Sequence, residues 1–285
     1  MHDTEQPRNT VGVGDRTLGP DPVLVGVLNV TPDSFSDGGD FLDPAKAAVR
    51  ARTMLDEGAG VIDVGGESTR PGSDPVPPEE ETRRVVPVIE EILSERPDAI
   101  VSIDTYRAAT AEAALGAGAR MVNDVTALRG DPRMAEVIAG ARCPVILMHM
   151  LGQPRTMQRD PRYADVVREV SDFLAERVEH AVAAGVGPEN VVLDPGIGFG
   201  KTLEHNLALL RHLDELVALG FPVLVGASRK SFIGRITGVE VARDRVAGTV
   251  AAKVIAYEKG ATLFRVHDVR ANREALAVAQ AILDL

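Results

Sequence analysis

Val23-Leu24-Val25-Gly26-Val27-Leu28-Asn29-Val30-Thr31-Pro32-Asp33-Ser34-Phe35-Ser36-Asp37-Gly38-Gly39 is the stretch whose reading decides the fold. Its first half is uncharged, rich in Val and of strand length. A strand that apolar is buried on both faces, as in a parallel sheet. It stops on a polar side chain, Asn29, and Pro32 with the Asp, Ser and Gly that follow make a loop. The same unit, a buried strand ending on a polar residue at a loop, recurs down the chain.

Working outward, helical and strand patterns alternate. Asp43-Pro44 reads as a helix cap and first-turn pair, with Gly58 as the stop. Val61–Val64 is a short strand entering a long loop, 65–78, and Glu79–Leu93 a helix with an acidic start. Further strands end at Asp104, Asn123-Asp124, His149, Asp194, Gly226 and His267, each followed by a helical segment. The longest helices are expected over Tyr163–Ala184, Leu203–Leu219 and Arg243–Glu258. Asn29 and His267 lie 238 residues apart, about 34 per unit over seven steps. Eight strand–helix units in a chain somewhat longer than ~250 residues imply right-handed crossovers and a (β/α)8 TIM barrel of α/β class; an open doubly wound sheet is the alternative.

Composition sets the bounds. The 285 residues are 45% apolar and 26% charged, enough for one large core. A net charge of −11 argues against nonspecific binding to nucleic acid or an anionic membrane, yet leaves room for an anionic ligand in a local basic pocket. One cysteine, Cys143, excludes an intrachain disulfide. No segment approaches the ~18 apolar residues of a membrane span, and the N-terminus lacks a basic-then-apolar signal pattern. The expectation is a cytoplasmic protein with a loose leader over 1–20 and a single barrel domain over 21–285.

In such barrels the chemistry sits at the C-terminal ends of the strands. That rim gathers Asn29, Asp104, Asn123, Asp194, Lys230, Arg265 and His267. Asp104, Asn123 and Asp194 supply acceptors and one amide, suited to a flat heterocycle with several N–H donors such as a 2-amino-4-oxo ring. Lys230, Arg265, His267 and Asn29 supply donors and a possible metal ligand, suited to phosphates. Both halves together read as a site for a heteroaromatic phosphate ester. Asp194 to Thr202 is not a P-loop, because Pro195 stands where its first glycine is required; its glycines are expected to admit a flat ligand closely. Metal-ligand spacing for zinc and a Gly-x-Ser-x-Gly around Ser228 are both missing.

Asn29–Gly39 and Asp194–Lys201 together resemble the dihydropteroate synthases. So do Gly66-Glu67-Ser68-Thr69-Arg70-Pro71-Gly72, Ser102–Thr105, Val122–Asp124, Gly226–Ser231 and Arg265–Val269. The resemblance runs from about Val23 to the C-terminus. It implies a Mg2+-dependent transferase of folate biosynthesis, a sulfonamide target and a homodimer. Such an enzyme condenses 6-hydroxymethyl-7,8-dihydropterin diphosphate with 4-aminobenzoate, by SN1-like loss of diphosphate. Carried over by motif, Asp104, Asn123, Asp194, Lys230, Met148, Phe199 and Gly226 would bind the pterin. Asn29, Arg265 and His267 would bind diphosphate, with Asn29 beside the metal. Phe35, Thr69, Arg70, Pro71, Lys230 and Ser231 would surround the aminobenzoate, between loops 30–40 and 65–78 as candidate lids. Asp104, Lys230, Arg265 and His267 form the expected catalytic group. A pterin-dependent methyltransferase and a non-catalytic pterin-binding paralogue are the alternatives.

Overall fold

The computed structural model describes residues 9–31, 43–68 and 75–284. A hairpin, β1 (Val11–Val13) and β2 (Arg16–Leu18), precedes β3 (Val23–Asn29). Then come α1 (Pro44–Asp56), β4 (Val61–Gly65), α2 (Pro78–Glu95), β5 (Val101–Asp104), α3 (Ala108–Gly116) and β6 (Met121–Asp124). The chain continues with α4 (Met134–Ala141), β7 (Val145–Met148), α5 (Val166–Ala183), β8 (Val191–Asp194), α6 (Leu203–Arg211) and α7 (Leu213–Val217). It ends with β9 (Leu224–Val225), α8 (Ser231–Thr237), α9 (Val246–Glu258), β10 (Leu263–Val266) and α10 (Val269–Leu283). The Asp43 carboxylate accepts from the Ala45 and Lys46 N–H groups, so the expected α1 cap is present. The helix expected over 203–219 breaks at His212, and that expected from Arg243 becomes a 3-10 turn followed by α9.

Strands β3 to β10 are parallel, in the order β8-β7-β6-β5-β4-β3-β10-β9. A parallel bridge from Leu193 to Val223, and a 2.9 Å bond from the Leu193 N–H to the Pro222 carbonyl, join β8 to β9 and close the barrel. The (β/α)8 expectation holds.

Period-2 alternation divides each strand between two environments. Leu24, Leu28, Ile62, Val64, Ile103, Leu147, Leu193 and Phe264 face outward into one core with the helices. Val25, Val61, Ile100, Met121, Ile146, Val192, Leu224 and Leu263 face inward and make a separate apolar layer. Two residues further along the same inward faces stand Val27, Asp63, Ser102, Asn123, Met148, Asp194, Gly226 and Arg265. The interior therefore changes from apolar to polar over one layer, and that change fixes the floor of the site.

The expectation of a loose leader through residue 20 is corrected for residues 11–18. Val11 pairs with Leu18 and Val13 with Arg16, around the two-residue turn Gly14-Asp15 with Gly14 at φ 63°. Val11, Val13 and Leu18 are buried against the inward apolar layer and cap the N-terminal end of the barrel. Burial at ~1.5–3 kcal/mol per side chain is ample reason for so short a hairpin to hold. Cys143 is buried as a free thiol. No helix among the described residues is long and apolar enough to cross a membrane.

Candidate active site

A cavity of about 440 Å³ opens at the C-terminal end of the barrel. It is lined by every rim residue named from sequence, Asn29, Asp104, Asn123, Asp194, Lys230, Arg265 and His267, and also by Met148, Phe199, Gly226 and Ser231. Phe35, Thr69, Arg70 and Pro71 lie outside the described residues, as do most of the two loops expected to cover the site.

One wall is a set of acceptors. Asn123 Nδ2 donates to Asp63 Oδ2 at 3.0 Å, so its amide oxygen points the other way. Asn123 Oδ1 and Asp104 Oδ1 are buried with no partner among the described residues. Asp194 Oδ1 accepts the Gly196 N–H at 2.7 Å. Burial pushes the Asp104 carboxyl up to about 7; Arg265 opposes this, while the like charges of Asp63, Glu81 and Asp124 add to it. Burial also raises Asp194, against the Gly196 bond and the charges of Lys230, Lys253 and Lys201.

Arg265 departs from expectation. From sequence it belongs with the phosphate donors. In the structure Nε donates to Asp63 Oδ2 at 2.6 Å and Nη2 to Asp104 Oδ2 at 2.7 Å. The guanidinium bridges two carboxylates and so sits against the acceptor wall of the cavity. Burial alone would lower its pKa, but Asp63 and Asp104 outweigh burial and hold it charged.

The other wall is cationic. Lys230 Nζ lies 3.8 Å from the centroid of the Phe199 ring. Lys230 also caps α8, so the chain turns into that helix beside the cavity. His267 Nδ1 is 3.0 Å from Ser228 Oγ, which also accepts the His267 N–H at 3.2 Å. Arg229, at φ 58°, grips Asp268 through Nε and Nη2 at 2.9 and 2.6 Å and so pins the β9 and β10 ends together.

The glycine loop after β8 is only partly as expected. Gly196, Gly198 and Gly200 all have positive φ, and at Gly196 and Gly200 a Cβ would also fall 1.9 Å from the His149 carbonyl and 2.5 Å from that of Leu151. Those two serve backbone packing rather than a ligand. Gly198 alone of the three lines the cavity, where a Cβ would press on Lys230.

Sequence reasoning missed three residues. Asp63 stands inside an apolar strand, and its signal was its inward parity with Asn29 and Asp104. Lys201 is fully buried; its Nζ donates to the Phe199 carbonyl at 3.1 Å and lies 2.9 Å from His149 Nδ1. Burial brings Lys201 down to about 7, and burial with the Lys201 charge brings His149 down to about 2. Lys253, buried in α9, donates to the Val225 carbonyl, and burial lowers it to about 7. Both lysines back Asp194 from outside the cavity.

A metal would find little on the protein alone. Among the described residues no cluster of three His, Cys, Asp or Glu could hold one. Asn29 offers a single neutral oxygen, which fits a hard cation carried mainly by substrate phosphates and water.

Comparison with known proteins gives this geometry its family. A family model described as "Pterin binding enzyme" matches residues 25–267. The dihydropteroate synthase of Synechocystis sp. is 48% identical over 259 residues, covering 91% of this chain and 89% of that protein. The Xanthomonas albilineans dihydropteroate synthase structure with 4-aminobenzoic acid superposes with a TM-score of 0.91 at 46% identity, covering 99% of this chain and 100% of that one. The same bacterium's enzyme with 7,8-dihydropteroate gives 0.87 at 44% identity, over 97% and 99% of the two chains. A model that matches residues 25–267, and a relative 48% identical over 91% of the chain, establish that this chain belongs to the pterin-binding enzymes, among the dihydropteroate synthases.

Proposed function

We propose that the chain condenses 6-hydroxymethyl-7,8-dihydropterin diphosphate with 4-aminobenzoate, giving 7,8-dihydropteroate and diphosphate. The observation that carries the reading is the division of one cavity into an acceptor wall (Asp104, Asn123, Asp194) and a wall that carries Lys230 and His267, with Arg265 between them. A pterin presents its amine and ring N–H groups to the first, and its CH2–O–diphosphate arm reaches the second. The solved complexes of the Xanthomonas enzyme with aminobenzoate and with dihydropteroate support both halves of the substrate assignment.

The task falls on the carbon, since an aniline nitrogen is a weak nucleophile. The CH2–O bond breaks with its electron pair leaving on diphosphate, and the ring feeds electrons to the CH2 group. The ionised Asp104 carboxylate stabilises the cationic ring electrostatically. The aniline lone pair then forms the C–N bond, and the nitrogen loses a proton that has become acidic, so no strong base is needed. Lys230, held over Phe199, walls the pterin slot and, with Ser231, faces the aminobenzoate. The roles of Phe35, Thr69, Arg70 and Pro71 around that second substrate remain part of the proposal. Asn29 would hold Mg2+ bound to the diphosphate, and the ion would neutralise the leaving group. A cytoplasmic homodimer completes the proposal.

Turnover of both substrates with Mg2+ tests it. One diphosphate released per dihydropteroate formed is expected. Methyl transfer from a methylated tetrahydrofolate, or pterin binding without turnover, would replace this reading with one of its alternatives.

A further inference from the structure

We infer that Asp63 is a positioning residue for pterin recognition, whose Oδ2 fixes the Asn123 amide with its oxygen toward the ring. The inference rests on the pterin reading above. Asp63 lies on β4, is fully buried and does not line the cavity, so it cannot touch the ligand itself. It acts through two neighbours that do line it.

Asp63 Oδ2 accepts from Arg265 Nε at 2.6 Å and from Asn123 Nδ2 at 3.0 Å. An oxygen that already takes the Arg265 Nε–H at 2.6 Å acts there as an acceptor. The Asn123 group facing it must therefore be the NH2, which sends Oδ1 the other way. That oxygen is buried and unpartnered among the described residues, beside the equally unpartnered Asp104 Oδ1. Buried acceptors without donors are costly, and a cavity that keeps two in one wall is built to receive donors. Without Asp63 the amide has no reason to prefer that orientation. Turned over, it would point N–H groups at the ring's own N–H groups. Asp63 also draws Arg265 away from a two-pronged grip on Asp104, which leaves Asp104 Oδ1 open.

What matters is an acceptor at one place rather than a charge, and this separates the inference from a structural role as counter-charge to Arg265. Asp63→Asn can keep an oxygen at the Oδ2 position for both donors, with its NH2 where Asp63 Oδ1 now stands unpartnered. Asp63→Leu cannot. Calorimetric titration with the pterin diphosphate and Mg2+ should show at least a tenfold loss for Asp63→Leu and less than threefold for Asp63→Asn. Equal losses in both would assign Asp63 to charge balance and overturn the inference. A second set needs no apolar residue at this position. Asn123→Asp should lose affinity by facing Asp63 with a carboxylate. The Asp would keep an acceptor toward the ring, so undiminished affinity in Asn123→Asp would overturn the inference. The unmodified enzyme is the control, because its failure to bind the pterin diphosphate would refute the pterin reading instead.

Discussion

Arg265 and Asp104 are joined at 2.7 Å on the wall of the cavity, and the same guanidinium holds Asp63 at 2.6 Å. Arg265→Ala would leave two buried carboxylates without their cation. Removing one partner of such a group costs about 3–5 kcal/mol of stability, readable in urea unfolding. From sequence, the loss of Arg265 should weaken the diphosphate ester far more than the free hydroxymethyl pterin. The bridge to Asp104 changes that expectation: free hydroxymethyl pterin should also lose affinity, and unchanged binding of the free pterin would contradict the bridge's role in ring recognition.

Proton release should accompany pterin binding. Asp104 is raised to about 7, chiefly by burial, while ligand N–H groups need its ionised form. Below pH 7 binding must expel a proton, so affinity should fall as the pH falls through 7. Calorimetry in buffers of different ionisation enthalpy measures that proton, and Asp104→Asn should abolish it. The same shift has a stability sign. Between about 4 and 7 the folded state holds a proton that the unfolded chain has lost. The contribution of Asp104 to the stability of the unliganded enzyme therefore declines as pH rises across that window, and Asp104→Asn should flatten the slope.

Asp194→Asn tests the acceptor reading at its other end. The Asn oxygen can keep the Gly196 N–H bond that Asp194 Oδ1 now makes at 2.7 Å. Its NH2 then faces the ring's donors. Loss of a charged acceptor pair should cost about 2–4 kcal/mol of pterin binding with the fold intact. Unchanged calorimetric affinity would remove Asp194 from ring recognition.

The glycine loop separates stability from binding. Gly196→Ala places a Cβ 1.9 Å from the His149 carbonyl at φ 67°, so it should lower the melting temperature markedly. Gly198→Ala carries a similar backbone strain at φ 82°, but its Cβ meets only the Lys230 side chain at 3.0 Å, which can move. It should raise the KM for both substrates with a smaller change in melting temperature. The reverse pattern would mean that Gly198 supports the fold and Gly196 the ligand.

The barrel and its rim were legible because strand parity and strand ends are local properties. Asn29, Asp104, Asn123, Asp194 and His267 each close an apolar run, and parallel closure brings such ends together. The hairpin was missed although Val11 and Val13 alternate before Gly14-Asp15, because its burial depends on the barrel it plugs. Asp63 was passed over as part of a strand, since its partners Asn123 and Arg265 are 60 and 202 residues away. The place of Arg265 could not be read either. An arginine at a strand end suits phosphate or carboxylate equally, and only the inward faces of β4 and β5 decide between them. Buried Lys201 and Lys253 resemble ordinary surface lysines in sequence, and only the fold removes them from water.

In the proposed reaction this cavity stabilises a pterin cation formed before the new bond. Single-turnover cleavage of the pterin diphosphate, followed with a series of ring-substituted 4-aminobenzoates, tests it most directly. The C–O cleavage rate should barely change as the aniline becomes a better nucleophile. A rate that climbs steeply with nucleophilicity would contradict it and place the aniline in the bond-breaking step.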